Sequence, residues 1–364
     1  MKSAAIFPFD KSSVCLARYR HLIKQYNLQY FISPKGRALD KKDIAAIDGG
    51  IETNLYITED FEHAIREVDT VIFLEGSEPV KADIYLSHIN LAHTLGKEIV
   101  IDDALQNSLK NSLNDIAAAK VLTPNVEVET ANLDYKESRL LYHDIPIISV
   151  YGIGESCNKL EIQLALKEAF ESRGHSVLQF APKSYADLFD IKRLPEFLFD
   201  SSIPFQTRII RLNHYIYQEV LNAKADVMII GVPGGVISLD DYFHNEFSEL
   251  PYIISNAIKP DISILSAYYF PKINQNFLLE CREYMKYKFG AIVDYFHISN
   301  SSYTIDNTDE VPEVIYLSTN WKSVDQTIGN VQVDKIQVFN VYGPTNAATM
   351  NAIYEELSDN IDVV

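Results

Sequence analysis

The run YGIGESCNKLEIQLAL, from Tyr151 to Leu166, is the stretch whose residue types and spacing most directly suggest chemistry. A phosphate-binding loop needs glycines that let backbone N–H groups turn inward around phosphate oxygens. The following helix adds the partial positive charge of its N-terminus, a lysine meets the outer phosphates, and a Ser or Thr holds Mg²⁺. Gly152 and Gly154 follow an apolar, strand-like run, and Lys159 opens a helical one. Two positions depart from the pattern: Asn158 stands where the last glycine belongs, and Leu160 where the metal-binding hydroxyl belongs. Leucine cannot ligate a metal. Ser156 or Glu155 could substitute, though nothing in the sequence demonstrates it, and Glu155 would repel phosphate unless it held a cation or faced away.

The spacing from Gly152 to Lys159 is one residue longer than the standard Walker pattern. It matches the G-x-x-x-x-x-G-K-[ST] variant of dethiobiotin-synthetase-like and cobyric-acid-synthase-like proteins, which the C-terminal half resembles. ADVMIIGVPGGVISL resembles a further strand of those proteins, one that ends in an acidic residue before a small-residue run and two glycines. Gly234 and Gly235 match, but the acidic position falls on Gly231. Both usual Mg²⁺ contacts are therefore missing together, which argues against ordinary ATP hydrolysis. The resemblance implies ATP or another phosphate-bearing ligand, held by Gly152, Gly154, Glu155, Ser156, Asn158, Lys159, Gly234 and Gly235. The bland alternative is a glycine-containing turn of the kind any doubly wound sheet carries, with Lys159 solvated.

Other residues are weaker candidates. Cys157 lies near a helix N-terminus and Lys159, a setting that lowers a thiol pKa. No histidine is near it in sequence, so a small buried cysteine is the favoured reading. Glu161 reads as a first-turn acid facing the helix dipole. Asn213 and His214 lie on the helix before the Gly231 strand. Asp294 and His297 lie in AIVDYFHIS, and the C-terminal ends of parallel strands face a ligand crevice; a lone histidine there is still more often structural. In the first half, Asp10 in PFDKSS and Lys35–Gly36 in SPKGRALD follow strands and take the same crevice position. Lys35, Gly36 and Arg37 together suit an anion, but plain turns are the favoured reading. There is no G-x-G-x-x-G after the first strand, and no H-E-x-x-H or C-x-x-C spacing, so neither a dinucleotide fingerprint nor a metal site is expected.

The elements that must position these residues alternate. In the first half AAIFPF, LQYFISP, NLYITED, DTVIFLEG and KEIVIDD read as strands, and SSVCLARYRHLIKQY (capped by Ser12 or Ser13), DFEHAIREV and ADIYLSHINLAHTLG as helices. A helix around Leu109–Val121 and the stretch NVEVETA are less regular. In the second half IPIISVYGIG, SVLQFAP, ADVMIIGVPGG, DISILSAYY, AIVDYFHIS and KIQVFNVYG read as strands. LEIQLALKEAFESRG, Gln206–Leu221, Tyr252–Ile258, NFLLECREYMKYKFG and a last segment from Pro344 read as helices. The expected fold class is α/β, two doubly wound (Rossmann-like) parallel-sheet domains over 1–145 and 146–364, the second P-loop-like with a degenerate loop.

Composition narrows the partners. The formal net charge is −18. Residues 1–145 carry 16 Lys+Arg against 22 Asp+Glu, and residues 146–364 carry 16 against 28, so both halves repel nucleic-acid phosphates and anionic lipid. No nucleic acid and no membrane is expected as partner. Three widely spaced cysteines fit reduced thiols. No signal-peptide pattern opens the chain and no window approaches the ~18 apolar residues of a membrane span, so a cytoplasmic location is expected.

In order along the chain, IFPFDK, SPKGRALD, YGIGESCNKLEIQLAL, ADVMIIGVPGG, KPDISILS and VDYFHISN resemble the peptide maturation system proteins found mainly in clostridia. That resemblance covers nearly the whole chain. It implies an accessory role in making a ribosomally synthesised, post-translationally modified peptide of the bacteriocin type. The implied partners are the precursor peptide, a radical-SAM maturase or an acyl-carrier-like protein. It supplies no reaction and no catalytic residue. The alternative from the loop alone is an ATP-dependent ligase or group-transfer enzyme with Lys159 on the phosphates.

Overall fold

The structure is a computed structural model that describes residues 1–109, 120–122, 139–306, 313–331, 333 and 336–361. The chain divides into two units: Met1–Asn125 with Lys183–Arg193, and Val126–Pro182 with Leu194–Val364.

In the first unit, short runs rich in Ile, Val, Phe and Ala form β1 (Lys2–Phe7), β2 (Tyr26–Ile32), β3 (Ile57–Thr58), β4 (Thr70–Phe73), β5 (Glu98–Asp102) and β6 (Lys120–Leu122). They pair in parallel in the order β3-β2-β1-β4-β5-β6. This is the Rossmann order, with its reversal between β1 and β4. Helices α1 (Val14–Arg18), α2 (Ala45–Asp48), α3 (Phe61–Arg66), α4 (Ala82–Thr94) and α5 (Asp103–Leu109) connect the strands. A core of Phe7, Phe61, Phe73, Tyr85, Ile89 and Ile101 lies between sheet and helices.

Two expectations are corrected here. The helix expected over SSVCLARYRHLIKQY is only α1 followed by a single 3₁₀ turn at Arg20–Leu22, and neither serine caps it. Ser13 Oγ instead accepts the Asp10 amide at 3.0 Å, so it is already engaged in the turn after β1. The end of the helix expected over Leu109–Val121 is strand β6, while residues 110–119 and NVEVETA lie outside the described residues.

In the second unit the chain forms β7 (Ile147–Gly152), α6 (Lys159–Glu171) and β8 (Val177–Ala181). The segment Lys183–Arg193, with the two-residue strand β9 (Lys192–Arg193), belongs to the first unit. Then come α7 (Phe205–Ala223), β10 (Val227–Gly231), α8 (Glu249–Ala257), β11 (Ile262–Ala267), α9 (Gln275–Phe289) and β12 (Val293–Ile298). An antiparallel hairpin, β13 (Ser301–Asp306) with β14 (Glu313–Ser318), precedes α10 (Trp321–Ile328), β15 (Gln337–Phe339) and α11 (Asn346–Ile361). The sheet runs β15-β12-β11-β7-β10-β8 with every pairing parallel. All six residues of β7 are buried, as expected for a central strand covered on both faces. Both α/β sheets are therefore of the doubly wound kind. No helix among the described residues is long and apolar enough to cross a membrane.

Candidate functional site

In the second unit, β7 lies between β10 and β11, so the crossover from β10 to β11 reverses the winding direction at β7. Ligands of doubly wound sheets bind beyond the strand C-termini at such a switch point. The loop 153–158 occupies that place.

Its glycines are required by the protein's own packing. A Cβ on Gly152 would lie 2.4 Å from Cys157 Sγ and 2.8 Å from the Gly154 carbonyl, and one on Gly154 would lie 2.3 Å from the Tyr268 hydroxyl. A Cβ on Gly235 would lie 2.7 Å from the Ile153 carbonyl. Ser156 and Asn158, at φ 56° and 61°, take the left-handed backbone that the missing last glycine would have supplied without strain. Asn158 tolerates it as asparagine generally does, and its Oδ1 accepts the Asn300 amide at 3.0 Å. The loop is anchored from outside: the Ile153 amide donates to Ser266 O at 2.9 Å, and the Tyr268 hydroxyl donates to Glu155 O at 2.6 Å. Asn245 Nδ2 donates to Ile153 O at 3.3 Å from a run, Asn245–Ser248, whose four residues all have positive φ.

With the carbonyls of Ile153 and Glu155 held by side chains, the amides that follow are left over. Among the described residues, no oxygen of the chain accepts from the N–H groups of Ser156, Cys157, Asn158, Lys159 or Leu160. Lys159, whose side chain is only 11% exposed, directs Nζ at the Gly234 carbonyl, 2.7 Å away. Glu155 turns toward Gly234 and Lys159 from the exposed side of the loop: one carboxylate oxygen accepts the Gly234 amide at 2.7 Å, and the other lies 3.6 Å from Lys159 Nζ. The structure thus brings Gly152, Gly154, Glu155, Ser156, Asn158, Lys159, Gly234 and Gly235 to one place.

Neither Leu160 nor Gly231 offers a side-chain oxygen, and neither position is open. Leu160 is buried, and Gly231 is covered by Gln163, whose Oε1 would lie 2.2 Å from a Cβ there. Gln163 is a determinant that sequence reasoning missed. Its signal is a polar residue, 1% exposed, inside the apolar face of α6. Cys157 is buried, and burial pushes its thiol up despite the nearby Lys159, so it is not an activated thiolate.

The strand register separates the other candidates. His297 pairs with Ser266, and Ser266 with Gly152, so His297 lies at the level of the loop. It is wholly buried, with Nδ1 2.8 Å from Ser266 Oγ. That hydroxyl gives its proton to the Cys157 carbonyl, so Nδ1 must be the donor and the ring is the neutral Nδ1–H tautomer. Asp294 is corrected: three residues earlier in β12, it lies about 10 Å back along the strand, at the end of the sheet away from the loop. There it accepts the Ser263 amide at 2.9 Å and lines a cavity of about 540 Å³ with Arg282, Tyr295, Gln337 and Glu356. Asn213 is a structural bolt, bonded to both backbone groups of Leu141 and to Ala257 O, and His214 meets Arg139 O.

In the first unit, Asp10 is 3% exposed and accepts from the Ser12 amide, the Ser12 hydroxyl and the Ser77 amide at 2.7–2.9 Å. It spans the ends of β1 and β4, so the switch point of that sheet is bridged by the chain itself. Lys35 is exposed, the Gly36 amide donates to Glu59, and Arg37 pairs with Glu78 at 3.2 Å.

Burial sets opposite pH signatures on His297 and Asp294. His297 is lowered to about 3, so the unfolded chain takes up its proton first as pH falls below 6.5, and stability is lost from there down to about 3. Asp294 is raised to about 6 by burial, with Glu356 adding to the shift, so the native state holds its proton longer. Its contribution is lost as pH rises from 3.8 to about 6. In that shared window the two oppose each other. Urea denaturation of Asp294→Asn from pH 4 to 6 is expected to show a steeper rise of stability with pH than wild type, and His297→Asn a flatter or reversed one. Equal slopes in all three proteins would refute the assignment.

No protein-family model and no curated protein matches the sequence. Among solved structures, the chain is similar to a DUF1611 family protein from Anabaena variabilis ATCC 29413, with TM-score 0.56, 13% identity, and coverage of 98% of this chain and 100% of that one. At that identity the likeness shows the fold alone. A match to the signal recognition particle 54 kDa protein from Aeropyrum pernix K1 in complex with GDP has TM-score 0.28 and 12% identity, over 82% of this chain and 59% of that one, and carries no argument.

Proposed function

We propose that the second unit binds a phosphate-bearing ligand at the loop after β7 without turning over Mg-ATP. The observation that carries this reading is Lys159: a nearly buried ammonium at the sheet's switch point, beside five consecutive amides that meet no acceptor among the described residues. Backbone donors left over at the start of a helix, with an ammonium beside them, suit an anion. ATP and smaller phosphate-bearing groups share that chemistry.

The setting we propose is the one the sequence resemblance implies. The protein would be accessory to maturation of a bacteriocin-like peptide, in company with the precursor, its radical-SAM maturase or a carrier-like protein. Its support is the ordered set of six segments. The alternative, an ATP-dependent ligase or group-transfer enzyme, keeps Lys159 on the phosphates. It is disfavoured because Leu160 offers no oxygen and Gln163 fills the place of the absent acid.

Isothermal titration with ATP and with pyrophosphate, each with and without Mg²⁺, tests the reading. Binding is expected in both conditions and is expected to weaken roughly tenfold or more in Lys159→Ala, the loss of one charge-assisted contact. Mg-dependent ATP hydrolysis abolished by Lys159→Ala would establish the enzyme instead, and no binding by the wild-type protein or by a variant lacking the Glu155 charge would end both readings.

A further inference from the structure

We infer that the Glu155 carboxylate is a built-in competitor for the anion site, an autoinhibitory contact that an incoming phosphate must displace. This rests on the anion-binding reading above. A phosphate reaching Lys159 would draw on the donors nearest to it, the Lys159 ammonium and the Gly234 amide. Glu155 already uses both, at 3.6 Å and 2.7 Å. The ring is closed by Lys159 Nζ donating to the carbonyl of the same Gly234.

The two charged partners differ in their freedom to leave. Lys159 is 11% exposed and held beneath the loop, whereas the Glu155 side chain is 53% exposed. The Glu155 backbone is pinned through its carbonyl and Tyr268, while its carboxylate is held from the solvent side by the Gly234 amide and Lys159. The carboxylate can therefore swing into water while the ammonium stays to receive a ligand. The glutamate also lies within the loop, four residues before the lysine, so its negative charge is placed wherever the lysine's positive charge is. Within this frame a carboxylate that repels phosphate is a threshold: weak or singly charged anions fail to displace it, and polyphosphates succeed.

Pyrophosphate titration of the full chain, without Mg²⁺, reads this directly. Glu155→Ala is expected to bind about tenfold tighter than wild type, because a charge-assisted hydrogen bond no longer has to be broken. Glu155→Gln, which keeps an acceptor for the Gly234 amide but no charge, is expected to fall between them and covers the case in which the alanine variant folds poorly. Glu155→Ala/Lys159→Ala is expected to lose the gain. If wild type binds and both single variants bind no tighter, the competitor role is overturned while the anion-site reading stands. If neither wild type nor either single variant binds, both fall together. A variant that gains affinity where wild type shows none supports both.

Discussion

Gly231→Asp, which puts a carboxylate at the end of β10, is expected to destabilise the second unit by roughly 3–5 kcal/mol, the range for an uncompensated buried charge. It is not expected to restore Mg²⁺-dependent nucleotide binding. Gly231 is the last residue of a fully buried strand. Gln163 leans over it and cannot move aside freely, because its Nε2 donates to Phe180 O at 2.9 Å and its backbone carbonyl accepts from Gln179 at 2.8 Å. The new carboxylate would displace that amide, and Leu160 has no hydroxyl to offer a metal. Urea unfolding followed by circular dichroism, paired with titration of Mg-ATP, checks the outcome. A variant of wild-type stability that binds ATP only with Mg²⁺ would show that the loop is a working phosphate loop lacking one ligand, and would overturn the closed-site account.

Asp10→Ala is expected to cost the first unit roughly 3 kcal/mol, since hydrogen bonds to a charged group contribute more than neutral ones and their donors would be left behind unsatisfied. The carboxylate holds both the Ser12 turn after β1 and the Ser77 amide after β4. Asp10→Asn, which keeps one carbonyl oxygen as acceptor, is expected to recover more than half of that loss. Chemical denaturation of the three proteins measures it. Were Asp10 a solvated crevice residue awaiting a ligand, both substitutions would be close to neutral.

Most of the elements were legible in the sequence, because apolar runs of five or six residues alternating with amphipathic stretches leave little choice but a covered parallel sheet. The long helices α7 and α9 and the strands β7, β10, β11 and β12 lie where their patterns place them. The shortened α1 was not legible, because Ser13 is taken by a contact with Asp10 that a capping rule does not anticipate. Nor was the hairpin β13–β14, an antiparallel pair of mostly half-exposed and exposed residues that interrupts the strand–helix alternation. The return of Lys183–Arg193 to the first unit carries no local signal at all.

By itself the sequence determined the α/β class, the glycine-and-lysine loop opening α6, and the joint absence of a hydroxyl at Leu160 and an acid at Gly231, since these are matters of residue type and short-range periodicity. What Glu155 does was decided only by tertiary structure. Its carboxylate meets a glycine 79 positions away, and no spacing rule relates the two. The separation of His297 from Asp294 likewise came from strand register, which sets one at the level of the loop and the other at the far end of the sheet. The glycine-and-lysine loop was visible as a string of residues. That its lysine is nearly buried and its own glutamate is held by the lysine and the Gly234 amide follows from long-range packing, which brings Gly234, Tyr268 and Gln163 onto it.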